Sequence, residues 1–316
     1  MNKPDTLDQK ALGAAKRHMG AFAWPTVLLG TAVAATYIST PLLVAAGLMP
    51  LLVAVPLMAI LTYTAYTVLH DAAHGSISGS QTSLRWLNET MGYLAAWILM
   101  IPLNAHRHEH LAHHRHTNDS EQDPDFLVSN MARSPYHAVR AAVQVLLGQY
   151  RYYARHRWGK GPRKQDVYLV LEVIAALAPR LAFLASGFWL EGVAMFLVAW
   201  LVSIAALLYL FAYIVHTPHE AVGRWVDTST ILVDGAFGRL VTWLWLFQNY
   251  HSIHHLYPRV PFYHYRELYG EIEGTMIARG APIYRLGPGG LRALHGHSFE
   301  LRQPPVVKVS APCSHP

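Results

Sequence analysis

The chain has 316 residues, of which 53% are hydrophobic and only 14% charged, with a net charge of +6 and a mean hydropathy of +0.20. A soluble domain carries roughly 25% charged residues, so this composition excludes an ordinary soluble domain and describes a chain that resides in a membrane. The one cysteine, Cys313, excludes an intramolecular disulfide and any Cys-rich zinc or iron–sulfur motif, whereas twenty histidines are far more than ordinary usage supplies.

The N-terminal segment 1–20 is polar and carries Lys3, Lys10, Lys16 and Arg17. A long apolar stretch follows it with no small-residue cleavage site, which predicts a retained anchor and not a cleaved signal peptide. No charged side chain occurs from Ala21 to Leu69. About 20 residues cross the hydrocarbon layer, so this stretch is too long for one span. Pro41 and the Gly47–Pro50 region divide it into a hairpin, roughly Phe22–Ile38 and Leu51–Leu69. His70 and His74 then sit at the end of the second helix.

Met91–Leu103 is apolar but short and reads as a re-entrant or interfacial helix. It leads into His106–Asp125, where His110, His113 and His114 form an HxxHH box. Arg133–Lys164 is a basic segment with interleaved Tyr150, Tyr152, Tyr153 and Trp158, a composition suited to anionic headgroups. Val167–Trp189 is a span interrupted by Glu172 and Arg180. Val193–Val215 is an uncharged span that ends at His216. Ile231–Phe247, broken by Asp234 and Arg239, reads as an interfacial helix. It carries the last box, His251, His254 and His255. The tail from Tyr257 is polar, and Leu286–Gly290 is a turn with no strand–helix context for a nucleotide loop. The basic segments fall on one side of a four-span arrangement, which the positive-inside rule assigns to the cytoplasm. All the histidine clusters fall on that side too. The expected fold is therefore all-α: four transmembrane helices in two hairpins, interfacial helices and a cytoplasmic histidine-rich cap. Segment 1–20 precedes a membrane domain over 21–265, and 266–316 follows it as a cytoplasmic tail.

Residues at i, i+3 and i+4 of a helix share a face, so each cluster aims its imidazoles one way. Neutral imidazole binds borderline transition metals. Nine candidate ligands, His70, His74, His110, His113, His114, His216, His251, His254 and His255, exceed the four that one tetrahedral zinc takes. Two metals fit the count better. His219 is an alternative to His216. His106, His108 and His116 flank the second box, while His18, His137, His156, His264, His295, His297 and His315 lack partner spacing and read as surface or loop. A ligating histidine usually donates its other N–H to a carboxylate, carbonyl or water. Asp71, Asp119, Glu121, Asp123 and Asp125 are candidates for that role, Asp71 foremost, and Gln248 and Asn249 precede the third box.

The chain lacks His-Glu-x-x-His, which argues against a zinc protease, and lacks the Glu-x-x-His pairs of soluble di-iron bundles. A metal transporter would place ligands within the spans, but these histidines cluster at span ends. A bis-histidine cytochrome needs facing pairs and not HxxHH runs. An all-histidine site at a membrane surface points to O₂ chemistry on an apolar substrate, because an alkyl C–H bond yields to a redox metal and not to acid–base catalysis.

His70-Asp-Ala-Ala-His74, His110-Leu-Ala-His113-His114 and Gln248-Asn-Tyr-His251-Ser-Ile-His254-His255 resemble the three histidine boxes of the membrane fatty acid desaturase-like superfamily. The resemblance spans about Leu69 to Tyr265. It implies a non-haem di-iron enzyme that oxidises lipids with O₂ and two external electrons, with a further helix supplying a histidine that matches His216. Thr117–Asp125 and Asn249–Tyr263 are similar to bacterial β-carotene ring hydroxylases. Carotenoid ring hydroxylation is thus the leading expectation, and acyl-lipid desaturation is the alternative. No haem, iron–sulfur or dinucleotide motif is present, so a separate acidic donor such as a ferredoxin is expected to dock on the basic face.

Overall fold

The computed structural model describes residues 6–235, 237–287 and 289–295. Lys3, His297, Cys313 and His315 lie outside the described residues, as does Pro288 within the expected 286–290 turn. The chain enters through helix α1 (Thr6–His18), then forms an antiparallel pair, α2 (Trp24–Ala45) and α3 (Leu51–His74). Thr26 near the start of α2 donates to Asp71 near the end of α3 at 2.9 Å. Helix α2 runs through Pro41 and breaks at Gly47, whose φ is +71°. The predicted break at Pro41 gives way because a helix is the form that satisfies backbone groups internally in an apolar surround, and one lost N–H does not end it. Helix α3 continues past Leu69 to His74, where Gly75 caps it at φ +71°. This continuation puts His70 and His74 on its last turns.

The segment predicted as one short re-entrant helix is a helical hairpin. Helix α4 (Arg85–Leu99) turns through Met100 into α5 (Leu103–His116), which carries the second box. Gly92 permits this packing: a Cβ there would meet the Ala72 Cβ and Leu103 Cδ2, each at 2.9 Å. The turn leaves carbonyls at the end of α4 and an N–H at the start of α5 without helical partners. Helix α6 (Pro135–His156) and then α7 (Arg163–Ala185) and α8 (Trp189–His216) supply them. Arg180 of α7 donates to the carbonyls of Trp97 (2.9 Å) and Ile98 (3.3 Å). The Trp200 indole of α8 donates to Leu99, and the Tyr150 hydroxyl of α6 to Met100. The Leu103 N–H donates to Glu172 at 2.6 Å. The two charges that interrupt the third span are therefore the partners of a buried turn. Each also has the sign the helix dipole asks for, positive at the C-terminus of α4 and negative at the N-terminus of α5.

Helices α2, α3, α7 and α8 are long and apolar enough to cross a membrane. Their outer faces stay bare, with Leu52 87% and Leu181 58% exposed, as lipid-facing helices require. Helix α8 contains two π-helical stretches, Val193–Val198 and Leu208–Tyr213. The second lies beside the histidines.

Residues 231–247 do not form the expected single helix. They hold β1 (Thr230–Val233) and α9 (Gly238–Leu244), followed by α10 (His251–Leu256) and α11 (Tyr265–Ala278). Strand β1 pairs in parallel with β2 (Ile283–Gly287), which pairs antiparallel with β3 (Gly290–His295). The β-branched run of β1 is stabilised by a partner some fifty residues later, which no local pattern displays. Helix α1 packs its Ala11, Ala14 and Ala15 into a second apolar core with Tyr250, Ile253, Tyr265 and Leu268. This core supports α10 from behind.

Candidate metal centre

The histidines arrive on helix ends. His70 and His74 come from the end of α3, His110, His113 and His114 from α5, His216 from the last residue of α8, and His251, His254 and His255 from α10. The structure brings all nine together in two adjoining groups. In the first, ligand atoms of His70, His74, His110, His114 and His254 lie within 4.8 Å of one another; in the second, those of His113, His216 and His255 do so. His251 joins the second, its Nε2 3.1 Å from that of His216. His219, the alternative to His216, stays outside both groups, its ring 6.3 Å away.

The Nε2 atoms face inward. Those of His114 and His254 stand 2.7 Å apart, and those of His110 and His114 stand 3.1 Å apart. A metal–imidazole bond is about 2.0–2.1 Å, so adjacent ligand atoms around one ion are separated by roughly 3.0–3.4 Å. The inward spacing is close to that edge. Meanwhile several Nδ1 atoms face outward onto partners: His113 onto Asp123 (2.8 Å), His251 onto Gln248 (3.0 Å), His254 onto the Tyr265 hydroxyl (3.1 Å) and His255 onto Thr117 (3.3 Å). This outer ring fixes each imidazole's orientation. Asp123 and Gln248 were visible in sequence as neighbours of the boxes. Tyr265 carried no signal, because its approach to His254 depends on how α11 folds back. Asp71 meets Thr26, and the Asn249 amide donates to the Ile231 carbonyl; neither makes a hydrogen bond to a candidate ligand.

Electrostatics favour the neutral form for most of the cluster. Burial, then the mutual repulsion of the cluster, holds His110, His114, His254 and His255 well below the ordinary imidazole range, and burial takes His251 down to about 3. Neutral imidazoles are the ligand form. His113 is the exception. Burial alone would depress it, but the carboxylates of Asp123 and Asp125, with Asp227 beyond, raise it to about 9. Buried nitrogens also lack partners, among them His74 Nε2 and His255 Nε2. Orphaned buried polar atoms call for an explanation, and a pair of metal ions fits the donor set.

Beside the groups lies a cavity of about 30 Å³. His110, His113, His216 and His251 line it, together with Asp123, Asp125 and the apolar Tyr66, Phe126, Val128 and Phe211. It therefore touches both groups. His106 is buried and stacks on His110 at 5.1 Å without joining either group.

Comparison with known proteins agrees with this geometry. The family model described as fatty acid desaturase matches residues 46–287. An sn-1 oleoyl-lipid 12-desaturase of Anabaena variabilis is 26% identical over 255 residues, covering 69% of this chain and 68% of that protein. The fatty acid conjugase FAC2 B of Calendula officinalis is 22% identical over 242 residues, 63% of this chain and 61% of its own. An endoplasmic-reticulum omega-3 fatty acid desaturase of Vigna radiata var. radiata is 22% identical, with 66% and 61% covered. The chain thus spans from 61% to 68% of the length of these relatives. All three are named for fatty acyl substrates, so the similarity favours the acyl alternative over the expected carotenoid ring chemistry. With the match covering residues 46–287 of 316, the boxes converged and four apolar helices around them, the chain is an integral membrane protein and belongs to the fatty acid desaturase family.

Proposed function

We propose that the protein is a membrane di-iron oxidoreductase that uses O₂ and two external electrons to oxidise C–H bonds of a fatty acyl lipid, with desaturation as its outcome. The observation that carries this reading is the convergence of nine imidazoles, six buried and three half-buried, into two adjoining groups beside a shared cavity. His70, His74, His110, His114 and His254 would hold one ion, and His113, His216, His255 and His251 the other. Iron bound there supplies the O₂ activation that an alkyl C–H bond demands.

The chain's own residues do the rest. Asp123, Gln248, Thr117 and Tyr265 hold the outer nitrogens of four ligands, which keeps the inner nitrogens aimed at the ions. The cavity has room for water or a diatomic gas, since one water needs roughly 10–15 Å³. Tyr66, Phe126, Val128 and Phe211 are the apolar part of its lining, and an acyl carbon that reacts has to approach past them. Positioning there selects which carbon reacts, and errors near an ångström alter such rates strongly.

The site faces the cytoplasm in this reading, on the side of the basic segments. Arg151 and Arg155 of α6 border a recess that also contains His116, Gln122 and Asp123. An acidic ferredoxin docked there would sit next to Asp123 and hence to His113.

Expression in a bacterium with monounsaturated acyl lipids, followed by mass spectrometry of the fatty acids and iron analysis, tests the proposal. A new double bond in wild type that His113→Ala abolishes, with about two iron ions per chain, is the expected result. An unchanged acyl profile beside hydroxylated pigment in cells that accumulate β-carotene would replace the acyl reading with the carotenoid one.

A further inference from the structure

Two histidines that read in sequence as unpartnered surface residues, His18 and His264, come together away from the nine-histidine centre. His18 is the last residue of α1. His264 immediately precedes α11, and Glu267 lies in that helix's first turn. Ligand atoms of all three lie within 4.8 Å of one another. His264 Nδ1 is 3.1 Å, and His18 Nδ1 3.8 Å, from the same Glu267 oxygen. The two imidazole rings are 5.0 Å apart at 49°.

The surroundings of His18 set this cluster apart from a surface ion pair. Its Nε2 is 2.7 Å from Glu271, and Arg17 pairs with that same carboxylate. His18 Nδ1 stands 3.8 Å from the Glu267 oxygen, beyond hydrogen-bond reach. The His18 side chain is 8% exposed and that of Glu267 64% exposed, so one ligand is fixed in the protein and the other is open to an ion arriving from solvent. A cation between them bridges the gap. The carboxylate behind the imidazole is also the arrangement by which proteins orient a metal-bound histidine.

We propose that His18, His264 and Glu267 form a divalent transition-metal site that takes zinc, with water completing the coordination and Glu271 orienting His18. Two imidazoles, a carboxylate and an open position suit zinc in a tetrahedral arrangement. The ligand separations of 3.1 and 3.8 Å bracket the edge of such a polyhedron, so small side-chain shifts close it. The ion takes the place of the hydrogen bond between His264 and Glu267. The ion ties the end of α1 to the start of α11, opposite the ion pair of Asp8 with Arg279 at the other end of the same helix pair. Tyr265, next to His264, bears the hydroxyl on His254. The site is therefore one residue from the support of the candidate centre, yet shares no ligand with it.

The test uses the full-length protein in detergent, loaded with iron to occupy the larger centre and cleared of loosely bound metal. Zinc is titrated in competition with a chromophoric chelator. Wild type is expected to take up one zinc more per chain than His18→Ala or Glu267→Gln, or to bind it at least tenfold more tightly, while iron content stays equal in all three. Equal zinc uptake by wild type and both variants overturns the proposal. If the variants do not fold, X-ray absorption at the zinc edge of iron-loaded wild type decides. Two imidazoles with oxygen ligands support the site; an all-oxygen shell or a shell of three or more imidazoles overturns it.

Discussion

The Arg180 guanidinium donates to the Trp97 carbonyl at 2.9 Å from within a helix that otherwise reads as a membrane span. Arg180 lies about 25 Å along α7 at 1.5 Å per residue. It also donates to the Tyr37 hydroxyl and stacks over the Trp97 ring, 4.9 Å from its centroid. A charge at that depth is costly unless protein groups satisfy it. Here the cost is offset by carbonyls that would otherwise be unpaired at the end of α4.

Replacing Arg180 by Met therefore leaves the Trp97 and Ile98 carbonyls without partners. Each unsatisfied buried group costs about 1–3 kcal/mol. The hairpin that carries His110, His113 and His114 should loosen, with a lower midpoint in a thermal size-exclusion assay and less iron bound per chain. Arg180→Lys should recover part of the loss, since an ammonium reaches fewer of these acceptors. A midpoint unchanged in Arg180→Met would show that the turn is held by other contacts.

Asp123 and Asp71 are both buried acids near the boxes, but only Asp123 meets a candidate ligand. Asp123→Asn should weaken iron binding on the order of 10- to 100-fold, the usual effect of losing a ligand's outer partner. The helical content should stay the same. Asp71→Asn should do the reverse: it perturbs the α2–α3 contact through Thr26 and lowers stability, with iron still bound. Iron analysis and thermal melts of the two variants, measured side by side, separate these effects. Equal iron loss in both would contradict the assignment.

How far these relationships were legible in sequence follows from their range. The i, i+3, i+4 spacing of His110, His113 and His114 reports a local helix, so the boxes and spans were visible. The role of Glu172 and Arg180 was not. They appeared as flaws in a span because their partners, Leu103 and Trp97, sit about seventy to eighty residues away. Strand β1 was hidden for the same reason, since Thr230–Val233 takes its register from Ile283–Leu286. His18 and His264, 246 positions apart, could be paired only once α1 had packed on α11.

Tyr265→Phe removes one hydroxyl from His254 Nδ1 and leaves the buried ring in place. The ligand then loses its outer partner but keeps its packing. Turnover should fall several-fold while iron content drops little, because eight other candidate imidazoles are untouched. The expected difference from Asp123→Asn is one of charge: a carboxylate partner strengthens an imidazole's donation more than a neutral hydroxyl does. A variant as depleted in iron as Asp123→Asn would show that the hydroxyl sets the position of α10 itself.

Arg151 and Arg155 are exposed on the rim of the recess that reaches Asp123. If an acidic electron donor docks there, reversing both to Glu should slow turnover with reduced ferredoxin at least tenfold at low salt. Wild-type turnover should itself decline as ionic strength rises, because steering between exposed charges is screened over about 10 Å at 0.1 M salt. The double variant should lose that dependence, its rate staying low and flat. Iron content and the reaction driven by a small chemical reductant should be unchanged in it, which separates donor docking from damage to the centre. Wild-type rates that are flat across ionic strengths and equal to those of the variant would move the docking surface elsewhere, most directly to the remaining basic residues of 157–164.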